Sequence, residues 1–123
     1  MIIGIGIDSV EIARMAVNTA NAHFMERVFT RDERVMIATG SLAAERAAGN
    51  FAVKEAVGKA LGCGLAGCPL DSVETLRDDR GAPFITVSGV VQGRFKELGV
   101  TKAWVSITHT GGIATAFVVL EGE

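Results

Sequence analysis

The stretch Ala43 to Leu61, AAERAAGNFAVKEAVGKAL, constrains this chain most, because Lys54, Glu55 and Lys59 stand there among small or apolar residues. The alanine-rich run predicts one long helix. At helical spacing Glu55 and Lys59 lie one turn apart, in line with Ala48 and Ala52, and Phe51 nearby supplies packing area. A carboxylate and an ammonium therefore stand at the edge of a buried surface. As an ordinary helix pair they contribute only about 0.2–0.5 kcal/mol, so a chemical role needs partners from elsewhere in the chain.

With 123 residues the chain is the size of one domain, 1–123, able to bury a core yet small enough to favour assembly. The 49% of apolar residues never form an unbroken run of about twenty, as a membrane span requires. The opening MIIGIGIDSVE lacks a basic segment and a small-residue cleavage site, which predicts a cytoplasmic protein. A net charge of -2 gives no basic face for nucleic acid, so any polyanion site must be local. Cys63 and Cys68 cannot alone build a tetrahedral thiolate site, and we expect reduced, packed thiols, with a disulfide as the alternative.

Ile2 to Ile7 alternates as a strand with Ile3, Ile5 and Ile7 on one face and Gly4, Gly6 and Asp8 on the other, the glycine face leaving room for a neighbour. Asp8 falls at the end of that strand, and Ser9 is placed to cap a helix from Val10 to about Ala20 that buries Ile12, Met15 and Ala16. Thr30-Arg31-Asp32-Glu33 fits a capping box for a short helix through Ala38, and Ser41 is placed to cap the long helix. Ser72 to Leu76 and Phe84 to Ser88 read as a hairpin about the turn Asp78 to Gly81. Val90 to Leu98 reads as a helix ended by Gly99. Trp104 to Thr110 and Ile113 to Leu120 form a second hairpin closed by Gly111-Gly112, with His109 on one face of its first strand and Ser106 and Thr108 on the other. Neither GIGID nor GCGLAG has the order of a P-loop or a dinucleotide fingerprint.

Three segments in this order, Gly4-Ile5-Gly6-Ile7-Asp8, Phe51-Ala52-Val53-Lys54-Glu55-Ala56-Val57-Gly58-Lys59-Ala60 and Val105-Ser106-Ile107-Thr108-His109-Thr110, resemble the holo-acyl-carrier-protein synthase family of 4'-phosphopantetheinyl transferases. The resemblance spans residues 2 to 120 and includes Phe29-Thr30 and Gly81-Ala82-Pro83. It implies an α+β fold, a mainly antiparallel sheet packed against the long helix, and a homotrimer with coenzyme A in clefts between subunits. It implies magnesium-dependent transfer of phosphopantetheine from coenzyme A to a serine of an apo acyl carrier protein or carrier domain, leaving adenosine 3',5'-bisphosphate. Asp8 and Glu55 match the metal-binding carboxylates. Glu55, directly or through a metal-bound water, matches the base, and Lys59 the lysine that neutralises phosphoryl charge. By the same matching, Lys54, Lys59, Arg46, Gly81, Pro83, Ser106, Thr108 and His109 are expected at coenzyme A. Arg14, Met15, His23 and Arg27 are expected at the carrier.

The chain also departs from the family. Asn50 stands where an arginine commonly precedes the phenylalanine, so a phosphate contact is either missing or supplied by Arg46. Ala82 stands where a lysine is frequent, and Arg14, His23 and Arg27 make a thin basic face for an acidic carrier. Competing with the transferase is a catalytically silent module that binds coenzyme A or another nucleotide; in a third reading Glu55 and Lys59 are only a stabilising pair.

Overall fold

The computed structural model describes residues 1–39, 42–63 and 67–123. Its α+β architecture is built from β1 (Ile2–Glu11), α1 (Ile12–Thr19), α2 (Ala22–Val28), α3 (Arg31–Ala38), the long α4 (Ala43–Ala60), β2 (Val73–Arg77), β3 (Pro83–Val87), α5 (Gly89–Leu98), β4 (Val100–Thr110) and β5 (Ile113–Gly122). The longer sheet has the antiparallel order β1-β5-β4, and β2 and β3 form a separate hairpin. The β4–β5 turn is closed by Gly111 and Gly112 at φ 59 and 78, the left-handed pair that a two-residue hairpin demands.

The alternation read from Ile2 to Ile7 decides where α4 lies. A Cβ on Gly4 would sit 2.0 Å from the carbonyl oxygen of Ala60, and one on Gly6 only 1.9 Å from that of Ala56. The helix backbone therefore rests on the glycine face of β1. Ala52, Ala56 and Ala60 meet Ala116, Val118 and Leu120 of β5 in the main core. A second cluster, with Met15, Val28, Phe29 and Ile37, joins α1, α2 and α3 to the start of α4. The opposite face of the sheet presents Ile5 (59% exposed), Ile7 (56%), Trp104 (53%) and Phe117 (44%) to solvent.

Four local expectations are corrected. β1 continues past Ile7 to Glu11, because β5 supplies partners as far as Glu11↔Ile113. Asp8 is thus an interior strand residue. Ser9 does not cap α1: its hydroxyl bonds that of Thr115 at 2.9 Å, and the amide of Ile12 is satisfied across the sheet by the Gly112 carbonyl at 2.9 Å. Ala16 is exposed, since α1 turns Met15 and not its neighbour inward. Cys63 and Cys68 are joined in a disulfide across a Cα separation of 6.6 Å, which their short spacing brings within bridging range. Thr30 and Glu33 form the expected capping box of α3. The cap assigned to Ser41 lies outside the described residues, and Leu42 precedes α4 without a side-chain cap.

Gly6→Ala is expected to destabilise the protein by about 3 kcal/mol, the upper end for an overpacked site, because a helix carbonyl cannot step aside as a side chain can. Urea denaturation checks this, and an unchanged midpoint would refute the backbone contact.

Candidate active site

Asp8 follows Gly6 on the same face of β1, so its carboxylate enters the angle between strand and helix where Glu55 and Lys59 emerge. Lys59 Nζ donates to Asp8 Oδ1 and to the Ile7 carbonyl, both at 3.0 Å. The lysine turns to Asp8 and makes no ion pair with Glu55 among the described residues. With the Lys59 side chain 58% exposed, this pair contributes little to stability, on the order of 0–1 kcal/mol. A pair so weakly stabilising is better explained by chemistry than by folding.

The Glu55 carboxyl is held above its usual range, first by burial and then by the charge of Asp8, while Lys59 pulls the other way. It borders a cleft of about 420 Å³, together with Asp8, Glu11, Arg14, Met15 and Phe51. Asp8 and Glu55 are the carboxylates that could hold a divalent cation, and their mutual repulsion is what such a cation would relieve. Among the described residues no three potential ligands of the His, Cys, Asp and Glu type converge, so any ion would complete its shell with water or phosphate oxygens. Glu11, absent from the sequence-based set, is a third carboxylate on the cleft; the extension of β1 put it there.

Not all expected site residues meet here. Lys54 does not reach the cleft: its ammonium is buried, 2.6 Å from Glu33 Oε1, and also donates to the carbonyls of Leu70 and Val73. The helix turns about 100° between adjacent residues, so Glu55 faces the cleft while Lys54 faces the β2–β3 hairpin. Met15 borders the cleft but is spent in the core, 2% exposed, whereas Arg14, His23 and Arg27 are exposed on α1 and α2. His109 lies on the helix-facing side of β4, its Nε2 3.3 Å from the position of a Cβ on Gly49. Ser106 and Thr108, opposite Phe117 and Thr115, lie on the outer face, so strand alternation keeps them from forming one patch with His109.

Arg46 and Asn50 mark the other flank of α4. At about 100° per residue, the nine positions from Arg46 to Glu55 amount to about two and a half turns, which puts the two on opposite sides of the helix. Asn50 is buried and donates to Glu33 Oε2 at 3.0 Å and to the Thr75 carbonyl at 2.9 Å, while its Oδ1 faces Arg77 Nη2 at 3.4 Å. Sequence reasoning missed Arg77. The polar stripe Arg46, Asn50, Lys54 at four-residue spacing was the available signal that this flank faces something polar.

Residues 4–118 match the 4'-phosphopantetheinyl transferase superfamily model. A holo-[acyl-carrier-protein] synthase of Treponema pallidum is 40% identical over 123 residues, covering 100% of this chain and 98% of that protein. The crystal structure of the Neisseria meningitidis holo-[acyl-carrier-protein] synthase superposes with a TM-score of 0.88 at 27% identity, covering 98% of this chain and 99% of that one. The Bacillus anthracis synthase, solved in complex with CoA (3',5'-ADP), gives 0.82 at 36% identity, covering 100% and 99%. The chain belongs to the 4'-phosphopantetheinyl transferase superfamily, and within it to the holo-acyl-carrier-protein synthase family. It is a phosphopantetheine-transferring enzyme.

Two outcomes test this geometry. Lys54→Met leaves the Glu33 carboxylate buried without its partner and is expected to cost about 3–5 kcal/mol by urea denaturation, with nucleotide affinity of the folded protein unchanged. In chelator-treated protein, Asp8→Asn removes an upward push on Glu55 and is expected to lower its titration midpoint, whereas Lys59→Ala removes a downward pull and raises it. Carboxyl-carbon NMR reads both displacements, and equal midpoints in all three proteins would refute the coupling.

Proposed function

We propose that the protein transfers 4'-phosphopantetheine from coenzyme A to a serine of an apo acyl carrier protein or carrier domain, with adenosine 3',5'-bisphosphate as the second product. The observation that carries this reading is the meeting of Asp8 and Glu55 on one cleft with Lys59 bonded to Asp8 at its edge. The serine oxygen attacks the β-phosphorus of the donor, the bond from that phosphorus to the bridging oxygen breaks, and the nucleotide departs with the electron pair. Glu55 takes the serine proton; its raised affinity for a proton brings it closer to the neutral range in which a general base works best. Lys59, tethered to Asp8, is positioned to neutralise charge growing on the phosphoryl oxygens. Magnesium, held by Asp8 and Glu55, supplies further charge neutralisation when bound.

The assembly is a homotrimer whose active sites lie between subunits. Support comes from the two flanks of α4: Asp8, Glu55 and Lys59 open on one, whereas Arg46, Asn50 and Arg77 lie on the other, with the helix seated on the sheet between. A donor that needs both groups is served by two copies. The apolar outer face around Ile5, Ile7, Trp104 and Phe117 is the natural surface for that contact. Arg14 at the cleft, with His23 and Arg27 exposed on α2, faces the acidic carrier, and Gly81 and Pro83 border the nucleotide. The same reading makes the protein cytoplasmic, in the compartment of its donor; no helix among the described residues is long and apolar enough to cross a membrane.

Intact-mass spectrometry of apo carrier proteins incubated with coenzyme A tests the reaction. A gain of one phosphopantetheine is expected with magnesium and not with chelator, and Glu55→Gln is expected to slow it by about 10²–10⁴-fold. Coenzyme A binding without any mass gain across free carriers and carrier domains would favour the silent module.

A further inference from the structure

Cys63 and Cys68 are the only cysteines of the chain, and they are joined to each other just past the end of α4. Gly62, at φ 73, donates its amide to the Lys59 carbonyl at 3.1 Å, and Cys63 donates its own to the Gly58 carbonyl at 3.0 Å. These are the two bonds with which a left-handed glycine ends a helix, so Cys63 completes the cap over the turn that carries Lys59. Cys68 is 4% exposed and belongs to the main core cluster with Val57, Leu61 and Val73. Just beyond it, the Leu70 carbonyl accepts from the Lys54 ammonium. The disulfide therefore fastens the Lys59 end of α4 to the core and to the segment that holds Lys54.

A cross-link between residues only 5 apart in sequence closes a small ring. Loop-closure entropy grows with ring size, so this link is a weak stabiliser of the whole fold and acts mainly on the cap it touches. Its two sulfurs differ in access. Cys63 is half-buried at the surface end, while Cys68 is enclosed by apolar side chains. In a reducing compartment, where the proposed function puts the protein, a disulfide is usually transient and serves redox sensing or catalysis. The transfer reaction uses neither sulfur.

We propose that Cys63 and Cys68 form a reversible oxidation site, opened by low-molecular-weight thiols at Cys63, whose redox state sets the order of the α4 turn bearing Lys59. A thiolate attacks Cys63 Sγ, the bond to Cys68 breaks, and Cys68 leaves with the electron pair and takes a proton. A second thiolate attacks the small-molecule sulfur of the adduct, releasing Cys63 as a thiolate that is protonated in turn. Two small thiols leave as their disulfide, and the two protons they gave up end on the two cysteines. The same small disulfide, acting in reverse, restores the clasp. The clasp stands apart from the transferase reading; its effect on turnover rests on that reading, through Lys59.

Glutathione redox buffers, followed by acid quench, alkylation and intact-mass spectrometry, read the site in the whole protein. The wild type is expected to take no alkyl group in excess oxidised glutathione and two in millimolar reduced glutathione. A protein still unlabelled under reduction holds a permanent staple, and one doubly labelled under oxidation holds no clasp; either result overturns the proposal. With oxidised glutathione, Cys68→Ser is expected to carry one glutathione on Cys63, and Cys63→Ser none on Cys68. The opposite pattern overturns attack at Cys63.

Amide hydrogen exchange of the wild type in its two redox states tests the link to α4. On reduction the amides of Leu61, Gly62 and Cys63, bonded to the last turn, are expected to exchange about 10-fold or more faster, with those of β5 unchanged. Equal rates at the cap, or faster rates throughout, overturn the local role. With the redox state of each sample confirmed by alkylation, reduction is expected to lower kcat for transfer and to leave KM for coenzyme A unchanged. If both states transfer at one rate, redox control of turnover falls. If neither transfers, the transferase reading falls, and labelling and exchange still decide the clasp.

Discussion

The contact on which the rest of the structure depends is the approach of the α4 backbone to β1 over Gly4 and Gly6. Two residues without side chains let a helix of small residues settle directly onto the strand, with alanines below and the β5 row of Ala116, Val118 and Leu120 beside them. Asp8 is the next residue on that face, and the first able to fill the angle that the glycines leave empty. Its carboxylate thereby meets a helix edge from which Glu55 and Lys59 project one turn apart. The chemistry of the cleft is a consequence of backbone proximity more than of any attraction among the charged groups.

On its other side the same helix is held by a buried polar network. Glu33 of α3 accepts from Lys54 and Asn50 of α4 and from the Thr75 amide of β2, so one carboxylate ties three elements together. Burial raises Glu33 and lowers Lys54 in proton affinity, each countered by the other's charge. Such a pair adds little net stability, but its hydrogen bonds fix the rotation of α4 about its axis. That rotation is what keeps Glu55 at the cleft and Lys54 away from it. Helix orientation, and with it the active-site geometry, is thus specified from the side opposite the cleft.

The two flanks of α4 differ in electrical character: paired carboxylates with a single lysine on one, two arginines on the other. On the proposed reading this division suits a donor with phosphates at both ends of its nucleotide, bridged between copies that meet through the apolar outer face of the sheet. Asymmetry within one chain becomes a complete site through symmetry among several.

The sequence by itself determined what nearest neighbours decide. The Thr30/Glu33 capping box, the Gly111-Gly112 hairpin, the glycine face of β1 and the single surface shared by Glu55 and Lys59 all follow from spacing along the chain, and the structure contains each of them. Tertiary structure decided every question whose answer comes from across the fold. Ser9 looked like a cap only until β5 supplied bonds that carried β1 on to Glu11. Lys54 and Glu55 are adjacent charges in sequence, and only Glu33, arriving from α3, assigns one to the core and leaves the other to the cleft. Arg77 had no signature, because its meaning depends on Asn50 and Arg46, both distant in sequence. Local preferences amount to tenths of a kcal/mol to about 1 kcal/mol, and a buried charge or an unpaired strand edge outweighs them.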